Sequence, residues 1–77
     1  MISNNAANAL ENLLNGNLTD ARRLADRIKH EVIVDTAVEV FGMTFRKAKF
    51  AAGYLKGNKS FQEYCNAELS QQELAHK

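Results

Sequence analysis

The stretch that most constrains the fold is Gly42 to Ser60, GMTFRKAKFAAGYLKGNKS. It holds a helix stop, a helix start, a helical body, a second stop and a second start. Thr44 is placed as an N-cap, because its hydroxyl can accept from the free N–H groups of a first turn. Gly57 follows the last apolar residue, Leu55, at the distance where a left-handed glycine ends a helix. The body between them lacks proline and is rich in alanine, which favours helix.

At 100° per residue this helix has two faces. Phe45, Ala48, Ala51, Ala52 and Leu55 share one side, and its alanines let another backbone come close. The other side carries Arg46, Lys47, Lys49 and Lys56, with Phe50 and Tyr54 one turn apart among them. Rings framed by cations have two readings. They pack on a neighbouring helix, as small folds use every aromatic they have. Or they form a protein-contact surface of Arg46, Lys47, Phe50 and Tyr54, because aromatics and arginine make the strongest anchors.

The same signals recur along the chain. Ser3 and Gly16 bracket a helix from about Asn5 to Asn15, with Ala6, Ala9, Leu10, Leu13 and Leu14 as its stripe. Thr19 is expected to cap the next helix, whose stripe is Ala21, Leu24, Ala25, Ile28 and Val32. A second stripe follows in Ile33, Val34, Ala37, Val38 and Phe41, and on a continuous helix it would point nearly the opposite way. Residues 20–41 are therefore either one long helix burying opposite faces or two helices broken near residues 30–35. The capping-box spacing of Thr36 and Glu39 favours a break. Gly42 ends this segment. Ser60 and Glu63 form a second capping box ahead of Phe61, Tyr64, Cys65 and Leu69, and the polar tail SQQELAHK is expected to fray.

The reading is an all-α fold: a small bundle of four to five short helices, with a helix-turn-helix-like pair in the middle. The 77 residues suit one domain, 1–77, and a core of that size is marginal alone, so homo-oligomerisation is expected. One cysteine, Cys65, cannot make an internal disulfide and fits a reducing, cytoplasmic setting. No apolar run approaches the roughly 20 residues of a membrane span, and the start MISNNAANAL lacks the features of a signal peptide.

Net charge is +1, but residues 44–59 hold Arg46, Lys47, Lys49, Lys56 and Lys59 with no acid. The segments on either side are each net acidic. A field this local attracts phosphate or an acidic protein surface. Little points to catalysis. His30 and His76 are far apart with no ligand-spaced partners, Cys65 lies on an apolar stripe, and no phosphate loop or activated serine is present. No enzyme activity, metal or cofactor is expected.

The segment DTAVEVFGMTFRKAKFAAGYLKGN resembles helix-turn-helix DNA-binding units. That resemblance implies a basic helix 45–56 in a major groove, with Thr44, Arg46, Lys47 and Lys49 near bases or phosphates. Val38 stands where the motif usually has alanine, Ala48 where it has a branched apolar residue, and Phe50 and Tyr54 are large for a groove-facing surface. Over ARRLADRIKH, DTAVEVFGMTFRKAKFAAGYLKG and SFQEYC, the chain also resembles the small antirepressor proteins of temperate phages and prophages of enteric bacteria. That likeness implies a helical protein that binds a repressor and displaces it from operator DNA. Direct DNA binding is the alternative.

Overall fold

The structure, a computed structural model, describes residues 3–67. The helices are α1 (Asn4–Leu14), α2 (Leu18–Ala25), α3 (His30–Phe41) and α4 (Phe45–Leu55). A fifth, α5, begins at residue 61 and is described through residue 67. No strand occurs among the described residues. This is the expected small all-α bundle. Leu69, His76 and the tail SQQELAHK lie outside the described residues.

The caps explain most of the boundaries. The Ser3 hydroxyl accepts from the Ala6 N–H at 3.3 Å and starts α1. Thr44 accepts from the Lys47 N–H at 3.2 Å and starts α4. Ser60 accepts from the Glu63 N–H at 3.1 Å and starts α5. At Gly42, with φ +66°, the chain turns left-handed and the Met43 N–H returns to the Ala37 carbonyl at 3.1 Å. Three residues, 42–44, then separate α3 from α4.

The start of α2 differs from expectation. Asn17, not Thr19, occupies the N-cap, and its side chain caps nothing. Its N–H bonds the Asn12 carbonyl at 2.8 Å and its amide bonds Asn12 Oδ1 at 3.3 Å. The turn after α1 is closed so tightly that α2 starts at once, leaving Thr19 exposed on its first turn.

Residues 20–41 form two helices, and the break falls at 26–29, earlier than expected. Its cause is the pair of opposed stripes. Ala21 and Ala25, and then Ile33, Val34 and Ala37, reach the same core only if the chain turns between them. Thr36 caps nothing. It sits inside α3, fully buried, where its hydroxyl donates to the Val32 carbonyl at 2.8 Å and accepts from the Ser3 N–H at 3.3 Å. The start of α1 is thereby tied to the middle of α3.

The core is built from small residues. Ala6, Ala9, Ala21, Ala25, Ala37, Ala48, Ala51 and Ala52 are completely buried. Among the described residues only Leu10, Ile33 and Thr36 are larger and equally buried. The closest helix pairs are α1 with α2 and α3 with α4, and α1 also packs on α3. Several stripe residues stay at the surface: Leu14, Leu24, Val38 and Phe45 are exposed. Phe45, the first residue of α4, departs most from its place on the buried face and is 63% exposed.

Thr36→Val keeps the shape and removes the acceptor for the Ser3 N–H. We expect a loss of about 1 kcal/mol in urea unfolding, together with faster hydrogen exchange at the Ser3 amide.

Candidate protein-contact surface

Helix α4 is two helices in character. From Ala51 through Leu55 every residue is buried, so this half has no solvent face. Thr44, Phe45, Arg46 and Lys49 are exposed, and Lys47 and Phe50 are half-buried. Only the N-terminal half meets solvent.

The reason lies in the return of the chain. After α4 the Asn58 and Lys59 N–H groups both bond the Gly53 carbonyl, at 2.7 and 3.1 Å. The Lys59 stem then crosses α4 at Gly53, where a Cβ would lie 2.6 Å from Lys59 Cγ. A glycine is needed here for close approach, since the helix itself would favour alanine. The crossing brings Lys59 Nζ to 5.2 Å from the Phe50 ring centroid.

Phe50 therefore has two cations on it, because the Arg46 guanidinium carbon also lies 5.6 Å from its centroid. Lys47 Nζ is 5.6 Å from the Tyr64 ring centroid. Phe61, exposed at 42%, packs on Tyr64 with centroids 5.9 Å apart and edge-on to Tyr54 at 5.5 Å. The result is a platform of Arg46, Lys47, Phe50, Lys59 and Phe61 on the α4 and α5 side of the molecule. Such cation–ring contacts are worth about 0.5–1 kcal/mol each at exposed sites.

Tyr54 is not part of this platform. It is buried, 8% exposed, beneath Phe61 and with the Arg22 guanidinium 5.4 Å from its ring. Its position at i+4 from Phe50 suggested a shared surface, but α5 covers it. Phe50 packs partly against the core. Of the four protein-contact residues expected from sequence, Arg46, Lys47 and Phe50 stay together, and Tyr54 is structural. Lys59 and Phe61 join them. Both were legible only as a charge and an apolar position, because the sequence does not show that the loop folds back over Gly53.

Lys56 also leaves the expected cationic face. Its ammonium donates to the Ala25 carbonyl at 3.1 Å and the Asp26 carbonyl at 2.8 Å. These are carbonyls at the end of α2, where a cation meets the negative end of the helix dipole. Lys56 thus pins α4 to α2 from the far end of the chain. A groove of about 380 Å³ runs beside it, lined by Arg22, Arg23, Asp26 and Leu55. Arg23 pairs with Asp20 at 3.0 Å in the open, which is worth little.

The four residues named for nucleic-acid contact, Thr44, Arg46, Lys47 and Lys49, fall within the first turn and a half of α4. Thr44 is engaged as the cap, and Lys49 Nζ lies 5.4 Å from the Phe45 ring centroid. Among the described residues no three His, Cys, Asp or Glu side chains come together as a metal site would need. No helix there is long and apolar enough to cross a membrane.

Fold and surface together define a small all-α protein with a ringed, cationic platform. The chain matches no protein-family model, no curated protein and no solved structure.

Two substitutions test this anatomy. Lys56→Met should destabilise by about 2 kcal/mol, the worth of charge-assisted hydrogen bonds to carbonyls, in a urea titration. A solvated lysine would give no change. Gly53→Ala should also destabilise, although helix propensity alone would stabilise by about 1 kcal/mol. Thermal unfolding gives the sign.

Proposed function

We propose that this protein is a small non-enzymatic regulator that acts by protein–protein contact, as a phage antirepressor does. Its partner is a DNA-binding regulator such as a repressor, which it displaces from operator DNA. The observation that carries the reading is the platform, where Arg46 and Lys59 both lie against the half-buried Phe50 beside the exposed Phe61. Ring faces with guanidinium and ammonium edges match the composition of contact anchors. Cations at the rim steer the encounter toward an acidic surface. The resemblance of the segments from Ala21 through Cys65 to antirepressors points the same way.

Direct operator binding would use Thr44, Arg46, Lys47 and Lys49 instead. It is disfavoured because the second half of α4 is enclosed and the large ring of Phe45 stands at its entry. Salt dependence separates the two readings. Retention on nonspecific duplex DNA that falls steeply with salt would support DNA binding and overturn the contact proposal.

With a candidate repressor bound to labelled operator, the wild-type protein should release the DNA. Arg46→Glu and Lys59→Glu change exposed side chains. Each should weaken repressor binding by about tenfold, mainly in association rate. Phe50→Ala should weaken it by about 30-fold, the scale of a contact anchor. Circular dichroism checks that the helices persist. Unchanged affinity in both charge variants would sink the proposal.

A further inference from the structure

Asn15 is the one asparagine in the chain that a glycine follows. The pair ends α1: Asn15 has φ −87° and ψ 0°, and Gly16 turns left-handed at φ +84°. The Gly16 N–H donates to the Leu13 carbonyl at 3.2 Å, and the Asn17 N–H to the Asn12 carbonyl at 2.8 Å. This is the two-bond closure that a glycine makes at a helix end. The same glycine leaves the peptide before it open to attack. It has no side chain to shield its own nitrogen, and nothing lies within 4 Å of the place a Cβ would take. Asn15 and Gly16 are both exposed.

That pairing allows an intramolecular acyl transfer. Hydroxide takes the proton of the Gly16 N–H, and the nitrogen attacks Asn15 Cγ. The N–Cγ bond forms, the Cγ–Nδ2 bond breaks, and the amide nitrogen leaves as ammonia with a proton from water. Water then opens the five-membered imide. Opening at Cγ gives aspartate. Opening at the backbone carbonyl gives isoaspartate, in which the chain runs through the side chain. An amide and a water have become an acid and ammonia, with no redox change. The closed turn holds this back. Ring closure needs Asn15 Cβ and the Gly16 nitrogen nearly eclipsed about the Cα–C bond, and at ψ 0° they are turned well apart. The Gly16 N–H is also engaged by Leu13. The turn must therefore open locally before the reaction starts.

We propose that Asn15 is a deamidation site gated by the turn between α1 and α2, and that conversion there releases this turn one way. Isoaspartate puts an extra backbone carbon between the Asn12 carbonyl and the Asn17 N–H, so their bond no longer closes in register. Aspartate sets a carboxylate at the negative end of the α1 dipole. Either product favours the open turn from which it formed. The device involves α1 and α2 alone and stands independently of the proposed repressor contact.

The test holds the full chain at mildly alkaline pH in native buffer and, in parallel, in guanidinium. Its peptides are then read by a mass-spectrometric fragmentation that separates aspartate from isoaspartate. In native buffer Asn15 should be the first asparagine converted, about 30-fold more slowly than in guanidinium, because two hydrogen bonds must open. The rate should rise in proportion to hydroxide. Asn15→Gln, whose amide would need a six-membered ring, should not convert at that position. The isoaspartyl protein, separated by ion exchange, should exchange its Asn17 amide at least about fivefold faster, the equivalent of one net hydrogen bond. Equal rates in the two solvents overturn the gate. An Asn15 that stays intact in native buffer, or another asparagine converted ahead of it there, overturns the site. Unchanged exchange at Asn17 overturns the release.

Discussion

Close approach of helix backbones through alanine is the constraint on which this fold rests. Among the described residues eight alanines are completely buried, and they are spread over α1, α2, α3 and α4. A methyl group removes little apolar area, about 0.8 kcal/mol for each buried carbon unit. A core of this kind packs tightly but has little driving force from transfer out of water. The chain offsets this with directional ties. Thr36 receives the Ser3 N–H, Lys56 closes the end of α2, and the Gly53 carbonyl receives two N–H groups of the returning chain. Each tie joins segments that alanine contacts alone would hold loosely.

These ties also divide the cations by task. The basic segment looked like one patch, yet its members do different work. Lys56 holds the scaffold together, Arg46 and Lys59 dress Phe50, Lys47 lies against Tyr64, and Lys49 leans on Phe45 toward α3. A local excess of positive charge therefore overstates the charge offered to a partner. What faces outward is smaller and more specific, with rings whose edges carry charge.

Much of the fold was legible in the sequence because it depends on local signals. Ser3, Thr44 and Ser60 cap helices as their hydroxyls and spacing imply, and Gly42 and Gly57 end helices with positive φ. The opposed stripes of residues 20–41 implied a turn, but its position was misread. Thr36 and Glu39 imitate a capping box, whereas the Thr36 hydroxyl serves a distant N–H instead. The site was less legible. Helical angles alone put Phe45 inside and Tyr54 outside, and the structure has the reverse. Tyr54 is covered because α5 begins close by, with Phe61 edge-on to its ring. Lys59 crossing Gly53 is a long-range fact that no periodicity encodes.

The seam between α4 and α5 gives the molecule a built-in reporter. The chain has no tryptophan and two tyrosines, Tyr54 and Tyr64. Both are nearly closed off from solvent, and both touch the ring of Phe61. Phenol absorbance and emission therefore watch a single event, the seating of α5, while the alanine-lined contacts among α1 to α4 are optically silent.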